Sequence, residues 1–318
     1  MQSISNCNLS ALQMAARALK SGHLVAFPTE TVYGLGADAT NEKAVSRIYS
    51  TKGRPSNHPL IVHIPSIARL KDWACEIPEY AIGLAREFWP GPMTLILPRK
   101  ALAKDYVTGG QNNIALRIPS NALALELLIQ FDRLGGKGIA APSANRFGAV
   151  SPTTATGVID ELGTFLQESD LILDGGKCEI GLESTIISCI GNSPEIIRPG
   201  AISSEMISKY VKIELNSNPV EYKIKAPGAM ESHYAPRAKV ILDQPTKIGD
   251  GFIALENHST PNNCVRLAAP RNIDEFARDL YQALRLGDQQ SLERIVVISP
   301  KGDGLAIAIR DRLKKASA

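Results

Sequence analysis

The 318-residue sequence is poor in the features that announce common chemistries. It has no GxxxxGK[ST] phosphate loop, none of the kinase motif set, and no serine within a GxSxG elbow. No paired carboxylates stand out as an acid and base. Its five cysteines (Cys7, Cys75, Cys178, Cys189 and Cys264) are odd in number, scattered and never spaced as CxxC. That excludes a disulfide framework or a cysteine-built zinc site, and it fits a reducing compartment, so a cytoplasmic location is expected. No apolar run approaches the roughly 20 residues that span a bilayer, and no basic-then-apolar leader opens the chain. The net charge of +3 is too small to argue for nucleic acid by itself, although a local basic groove stays open.

What is present is an ordinary globular composition, 44% hydrophobic and 21% charged, in a chain long enough for two cores. Strand-like runs are predicted at 23–27, 60–64, 93–97, 114–118, 138–141, 170–174, 184–190 and 194–198. Helical patterns fall near 41–50, 66–74, 79–88, 120–131, 153–162 and 203–210. An amphipathic helix from a Ser10 cap to Leu19, closed by Gly22, precedes them. Several strands follow one another without a helix, so the fold class is α/β with a mixed or largely antiparallel sheet. The composition changes near residue 215. A proline- and glycine-containing stretch through Pro227-Gly228 and His233-Tyr234-Ala235-Pro236 reads as a linker. Strands at 239–243, 251–255, 264–267 and 294–299, with helices at 273–286 and 303–315, then form a second small α/β domain. The expected divisions are 8–210, a linker at 211–237, and 238–318.

The most informative stretch runs from Pro28 to His63. An apolar strand ends at Pro28 and is expected to feed a hydroxyl- and glycine-rich loop, Thr29 to Gly36, whose glycines let it approach a ligand closely. Gly34-Leu35-Gly36-Ala37-Asp38-Ala39 matches a dinucleotide fingerprint formally. The glycines, however, do not sit at the turn leaving the strand, and Lys52 and Arg54 stand where an acidic ribose partner belongs. Lys52-Gly53-Arg54-Pro55 places two cations around a glycine, which suits phosphate. His63 shares a strand face with Ile61, and Arg117 shares one with Ala115. Arg117 is therefore placed to clamp a carboxylate, or else to lie on an exposed face. His58 and His63 fall on opposite faces and make poor joint metal ligands. Ala141-Pro142-Ser143-Ala144-Asn145 packs small residues that let a backbone approach a ligand. From chemistry alone, this is a phosphate- or nucleotide-binding α/β domain.

Taken together, Lys52-Gly53-Arg54-Pro55, His58-Pro59-Leu60, Pro142-Ser143-Ala144-Asn145, Glu183-Ser184-Thr185 and Arg198-Pro199-Gly200 resemble the YrdC-like family, in its long two-domain form. The resemblance implies a twisted mixed-sheet α/β sandwich with a large concave cavity, plus a Rossmann-like C-terminal domain. It implies a nucleotidyltransferase that forms threonylcarbamoyl-AMP and pyrophosphate from L-threonine, bicarbonate or carbon dioxide, and ATP. The product would pass to partner proteins that modify adenosine in tRNA. By the same resemblance Thr31, His63, Arg117, the Ala141 backbone and Ser184 surround threonine. Lys52, Arg54, His58, Asn113, Ser143, Asn145, Ser151 and Arg198 surround ATP, and Tyr234 brings the linker back over it as a lid. Magnesium is expected with ATP, held by phosphates and water rather than by protein side chains. The competing expectation is a binding module whose concave basic surface holds double-stranded RNA, as a ribosome- or tRNA-associated factor. A carbamoyl-transfer domain of hydrogenase maturation is more distant, because its usual acylphosphatase and zinc-finger regions are not readable here.

Overall fold

The computed structural model describes residues 1–5, 7–211 and 234–318. Ten strands form one mixed sheet: β1 (Gln2–Ile4), β2 (Val25–Phe27), β3 (Gly34–Asp38), β4 (Ile61–His63), β5 (Met93–Pro98), β6 (Asn113–Arg117), β7 (Ile139–Ala140), β8 (Leu171–Leu173), β9 (Thr185–Ser188) and β10 (Glu195–Arg198). Their order is β1-β8-β2-β3-β7-β4-β6-β5-β9-β10. The sheet combines parallel pairs (β1–β8, β2–β8, β4–β6, β5–β9) with antiparallel ones (β2–β3, β3–β7, β4–β7, β5–β6, β9–β10). The sheet reaches further N-terminally than the expected boundary at residue 8, because Gln2–Ile4 pairs with β8. The helices beside it are α1 (Leu9–Lys20), α2 (Glu42–Lys52), α3 (Leu70–Trp73), α4 (Glu79–Phe88), α5 (Asp105–Thr108), α6 (Ala122–Arg133), α7 (Ala155–Leu162) and α8 (Ser204–Tyr210). The cap of α1 is Asn8 rather than Ser10: its side-chain Oδ1 accepts from the Ala11 N–H at 3.0 Å.

Successive side chains of a strand point to opposite faces, and the two faces have different fates. Ala26, Leu35, Val62, Leu95 and Leu116 point to one face, into the main core with Val45, Ile48 and Leu84. Val25, Phe27 and Ile139 point to the other, where Leu12 and Leu19 of α1 and Leu127 and Phe131 of α6 cover them. On that second face Ile61, Ala115, Ile96 and Ile186 form only a small separate cluster. His63 and Arg117 follow Ile61 and Ala115 by two residues and so share this face.

One local expectation changes. Gly34 and Gly36 belong to strand β3, which is paired with both β2 and β7, and not to a loop. A Cβ on Gly36 would lie 2.8 Å from both Ile139 Cγ2 and Phe27 Cε1, so the glycine makes room for neighbouring side chains.

The second sheet is parallel throughout: β11 (Lys239–Leu242), β12 (Gly251–Ile253), β13 (Val265–Ala268) and β14 (Arg294–Val297), in the order β11-β14-β12-β13. Helices α9 (Ile273–Gln289) and α10 (Leu305–Ala316) pack on it through Phe276, Leu280, Leu284, Ile309 and Leu313. The same cluster includes Val32, Val150 and Leu182, so the two domains meet through a shared apolar patch. Most of the expected linker, from Asn216 through Pro227-Gly228 to His233, lies outside the described residues.

Candidate active site

The second face of the large sheet is left open between the α1–α6 layer and the C-terminal domain, and a cavity of about 50 Å³ sits there. Its lining includes Thr29, Thr31, Val32, Gly34, Arg54, Ile61, His63, Arg117, Ala141, Pro142, Ser143, Glu183, Ser184, Arg198 and Tyr234. Room for one water requires roughly 10–15 Å³, so the cavity as it stands takes only a few water molecules.

At one end the walls are strand ends. Pro28 stops β2, and Thr29 organises the turn after it. Its hydroxyl accepts from the N–H groups of Thr31 and Val32 and donates to the Val32 carbonyl at 2.7 Å. Since that proton is used, the Thr31 hydroxyl donates to Thr29 Oγ1 at 2.7 Å and accepts from Arg117 Nη1 at 2.9 Å. Arg117 Nη2 is paired with Glu30 Oε1 at 2.5 Å, and both side chains are buried. The Ser120 N–H donates to the other Glu30 oxygen at 3.1 Å. Each terminal nitrogen of Arg117 carries a second N–H, which leaves a donor pair for a carboxylate. Arg117 stands opposite His63 in the β4–β6 pair. Burial, with the Arg117 charge second, holds the imidazole down to about 3, so it is neutral. His63 Nδ1 is buried and has no hydrogen-bond partner among the described residues. The Ala141 N–H is committed to the Ile61 carbonyl at 2.9 Å, which leaves its own carbonyl to offer.

The other end is built from loops and cations. Helix α2 ends at Gly53, whose φ of 63° is the left-handed geometry that glycine allows. That reversal sends Lys52 inward and Arg54 toward the cavity. Arg54 Nη2 donates to the Pro59 carbonyl at 2.9 Å, while its buried Nε has no partner among the described residues. Burial lowers its pKa to about 10, leaving it charged at neutral pH. Arg198 donates through Nε and Nη2 to the Ser184 carbonyl, at 3.1 and 2.9 Å. The Ser184 hydroxyl lies 2.8 Å from Thr94 Oγ1 and 3.2 Å from Arg198 Nη2.

Five expected nucleotide contacts are not in the lining. Lys52 Nζ donates to the carbonyls of Ser143, at 2.6 Å, and Asn145, so it braces the loop that carries Ser143 instead of pointing at the cavity. Asn145 is fully buried and donates to the carbonyls of Arg146 and Ala149, at 2.6 and 2.8 Å. Ser151 donates to Glu183 Oε1 at 2.6 Å. His58 meets the Phe147 ring edge-on at 5.3 Å. Asn113 opens β6 at the end remote from Arg117, opposite Pro98. Tyr234 does line the cavity. Its φ of 63° is unusual for an aromatic residue, and its ring stacks on Tyr281 at 5.7 Å.

Sequence reasoning missed Glu30, although it lies within the opening stretch beside Thr31. It also missed Tyr281 and Arg312 of the C-terminal domain, both of which bond Glu183. Among the described residues no group of three His, Cys, Asp or Glu side chains can hold a metal ion. No described helix is long and apolar enough to cross a membrane.

Comparison with known proteins agrees with this layout. A family model described as telomere recombination, Sua5/YciO/YrdC, matches residues 17–200. A second, described as the C-terminal domain of threonylcarbamoyl-AMP synthase, matches residues 202–318. A threonylcarbamoyl-AMP synthase of Pyrococcus abyssi is 38% identical, over 96% of this chain and 94% of the relative. One from Bacillus subtilis is also 38% identical, over 96% of this chain and 92% of the relative. The crystal structure of P. abyssi Sua5 complexed with L-threonine superposes with a TM-score of 0.88 at 37% identity, covering 99% of this chain and 97% of that one. The E. coli YciO structure shares the fold of 62% of this chain, with a TM-score of 0.52 at 21% identity. Family models spanning both domains, and relatives matched over nearly their whole length, lead to one conclusion: the chain is an enzyme of the threonylcarbamoyl-AMP synthase family, in its two-domain form.

Proposed function

We propose that this chain condenses L-threonine, bicarbonate or carbon dioxide, and ATP to threonylcarbamoyl-AMP and pyrophosphate, with the amino acid at the strand end of the cavity and the nucleotide at the loop end. The observation that carries it is the sorting of charge along the lining of one cavity. Arg117, beside a neutral imidazole, serves one end, and Arg54 and Arg198 serve the other. The P. abyssi relative was crystallised in complex with L-threonine, which supports threonine as a substrate.

The threonine carboxylate takes the remaining N–H pair of Arg117, bridged to the wall by Thr31. A neutral His63 does not repel the amino group, and its free Nδ1 lone pair accepts an N–H from it. The uncharged amine nitrogen bonds to the carbon of bicarbonate, and its proton leaves with the expelled hydroxide as water; with carbon dioxide the proton passes to solvent. The carbamate oxygen then attacks the α-phosphorus in line, and the bond to the β-phosphate oxygen breaks to release pyrophosphate. Arg54 and Arg198 neutralise charge on the phosphoryl oxygens and the leaving group. Positioning supplies the remainder, with no covalent enzyme intermediate. Both oxygens of the cavity carboxylate, Glu183, are already engaged by Ser151, Tyr281 and Arg312, so the donor set suits phosphate oxygens, and magnesium would arrive on ATP held by phosphates and water. The product is a mixed anhydride for transfer to adenosine in tRNA by partner proteins, which suits a cytoplasmic location. The RNA-binding alternative is not favoured, because Arg54, Arg117 and Arg198 are all buried around a cavity and not spread over an open face.

The test is pyrophosphate release from ATP. It should require both threonine and bicarbonate, and Arg54→Ala should raise the demand for ATP at least tenfold for the loss of one charge-assisted contact of about 1.5–3 kcal/mol. Release that ignores threonine would overturn the reading.

A further inference from the structure

Glu183 lines the cavity near Arg198, on the side assigned to the nucleotide, where a bare carboxylate would oppose phosphate binding. Both of its oxygens are engaged. Oε1 accepts from Ser151 Oγ at 2.6 Å. Oε2 accepts from Tyr281 Oη at 2.9 Å and from Arg312 Nε at 2.8 Å. Ser151 belongs to the first domain, but Tyr281 is on α9 and Arg312 on α10 of the second. Arg312 is 0% exposed, and its Nη2 also donates to the Pro199 carbonyl at 3.0 Å, immediately after Arg198. Its guanidinium carbon lies 5.3 Å from the centre of the Tyr234 ring.

Charges this deeply buried persist only when paired and bonded. Arg312 satisfies the carboxylate from outside the large sheet and ties it to the turn that carries Arg198. Attraction from Arg312 and Arg198 outweighs the effect of burial and holds Glu183 ionised, at about 2. The carboxylate therefore needs a resident counter-charge, and the C-terminal domain supplies it.

We propose that Arg312 is a positioning residue for the nucleotide: by neutralising Glu183 across the domain interface, it leaves the loop end of the cavity with the net positive field of Arg54 and Arg198. The C-terminal domain is then an electrostatic part of the active site. This rests on the ATP placement given above.

The experiment compares full-length wild type, Arg312→Met, Arg312→Lys and the double variant Glu183→Gln/Arg312→Met. KM values for ATP and threonine come from pyrophosphate release, and ATP affinity alone from calorimetry. An unneutralised carboxylate close to phosphate is expected to raise the ATP KM of Arg312→Met by roughly tenfold to a hundredfold. The threonine KM should move less than about threefold. The double variant, lacking the charge as well as its partner, should return the ATP KM to within about fivefold of wild type. Arg312→Lys should lie between wild type and Arg312→Met. A purely structural role would move both KM values together and would not be relieved by Glu183→Gln.

An ATP KM of Arg312→Met within about threefold of wild type, or a double variant no better than the single, overturns the proposal. If Arg312→Met does not fold, the double variant decides alone, and a rise of tenfold or more in its ATP KM counts as refutation. Calorimetry separates the two readings. If wild type shows no threonine-dependent turnover, the proposed reaction fails, and ATP binding across the four proteins still judges Arg312.

Discussion

Arg117 holds two relationships at once, and removing it should disturb stability and binding in separable ways. Its guanidinium is paired with Glu30 at 2.5 Å, and the two side chains are 5% and 2% exposed. Arg117→Met keeps the length and loses the charge. The stranded Glu30 carboxylate then remains buried beside the Ser120 N–H, and breaking a buried pair from one side costs about 3–5 kcal/mol. Independently, threonine loses a charge-assisted carboxylate contact of about 1.5–3 kcal/mol, roughly a tenfold to 150-fold rise in its KM. Adding Glu30→Gln removes the stranded charge while keeping an oxygen for Ser120. The double variant should thus recover at least half of the lost stability in chemical denaturation but none of the lost threonine affinity in pyrophosphate-release kinetics. Stability and threonine KM recovering together would sink the carboxylate role, as would a folded Arg117→Met protein with wild-type threonine KM.

His63 provides a pH test. Its folded imidazole stays neutral down to about 3 against an ordinary 6.5. The unfolded state therefore binds more protons across that interval, so the contribution is complete above 6.5 and is lost as the pH falls toward 3. His63→Gln should flatten the decline in melting temperature between about pH 6.5 and 4, and an unchanged slope would contradict a buried neutral histidine. Gly200→Ala tests close packing at the site: the new Cβ would lie 2.3 Å from the Thr185 nitrogen and 2.7 Å from the Ser184 carbonyl carbon. Overpacking against backbone should cost about 1–3 kcal/mol and lower activity by shifting the Ser184 carbonyl that Arg198 grips; wild-type thermal unfolding would refute it.

The strand-end half of the site was readable because alternation along a strand is local. His63 with Ile61, and Arg117 with Ala115, define a face without any tertiary knowledge. Gly34 and Gly36 read as a loop because glycine has weak strand preference, whereas their strand is imposed by two neighbours and by the Phe27 ring that occupies the space a side chain would need. Lys52 carries the charge that suits phosphate, but the turn at Gly53 directs it to carbonyl oxygens. Tyr281 and Arg312 were beyond reach. On the sequence they are ordinary positions of amphipathic helices, and their contacts with Glu183 span 98 and 129 residues.

His63 and Arg117 face one another as backbone partners, and His63 pairs on its other side with Ile139, two residues before Ala141. The spacing between the backbone positions that carry the imidazole and the guanidinium is thus set by the roughly 4.8 Å separation of neighbouring strands. That makes the strand end tolerant of sequence drift: core residues on the reverse face, such as Val62 and Leu116, can be exchanged for others of similar volume without moving the pair. An engineer seeking a more heat-resistant enzyme would begin on that reverse face. The loop end has no such insulation, because Lys52, Glu183 and Arg312 hold its groups one side chain at a time, so that a replacement there is felt at the cavity itself.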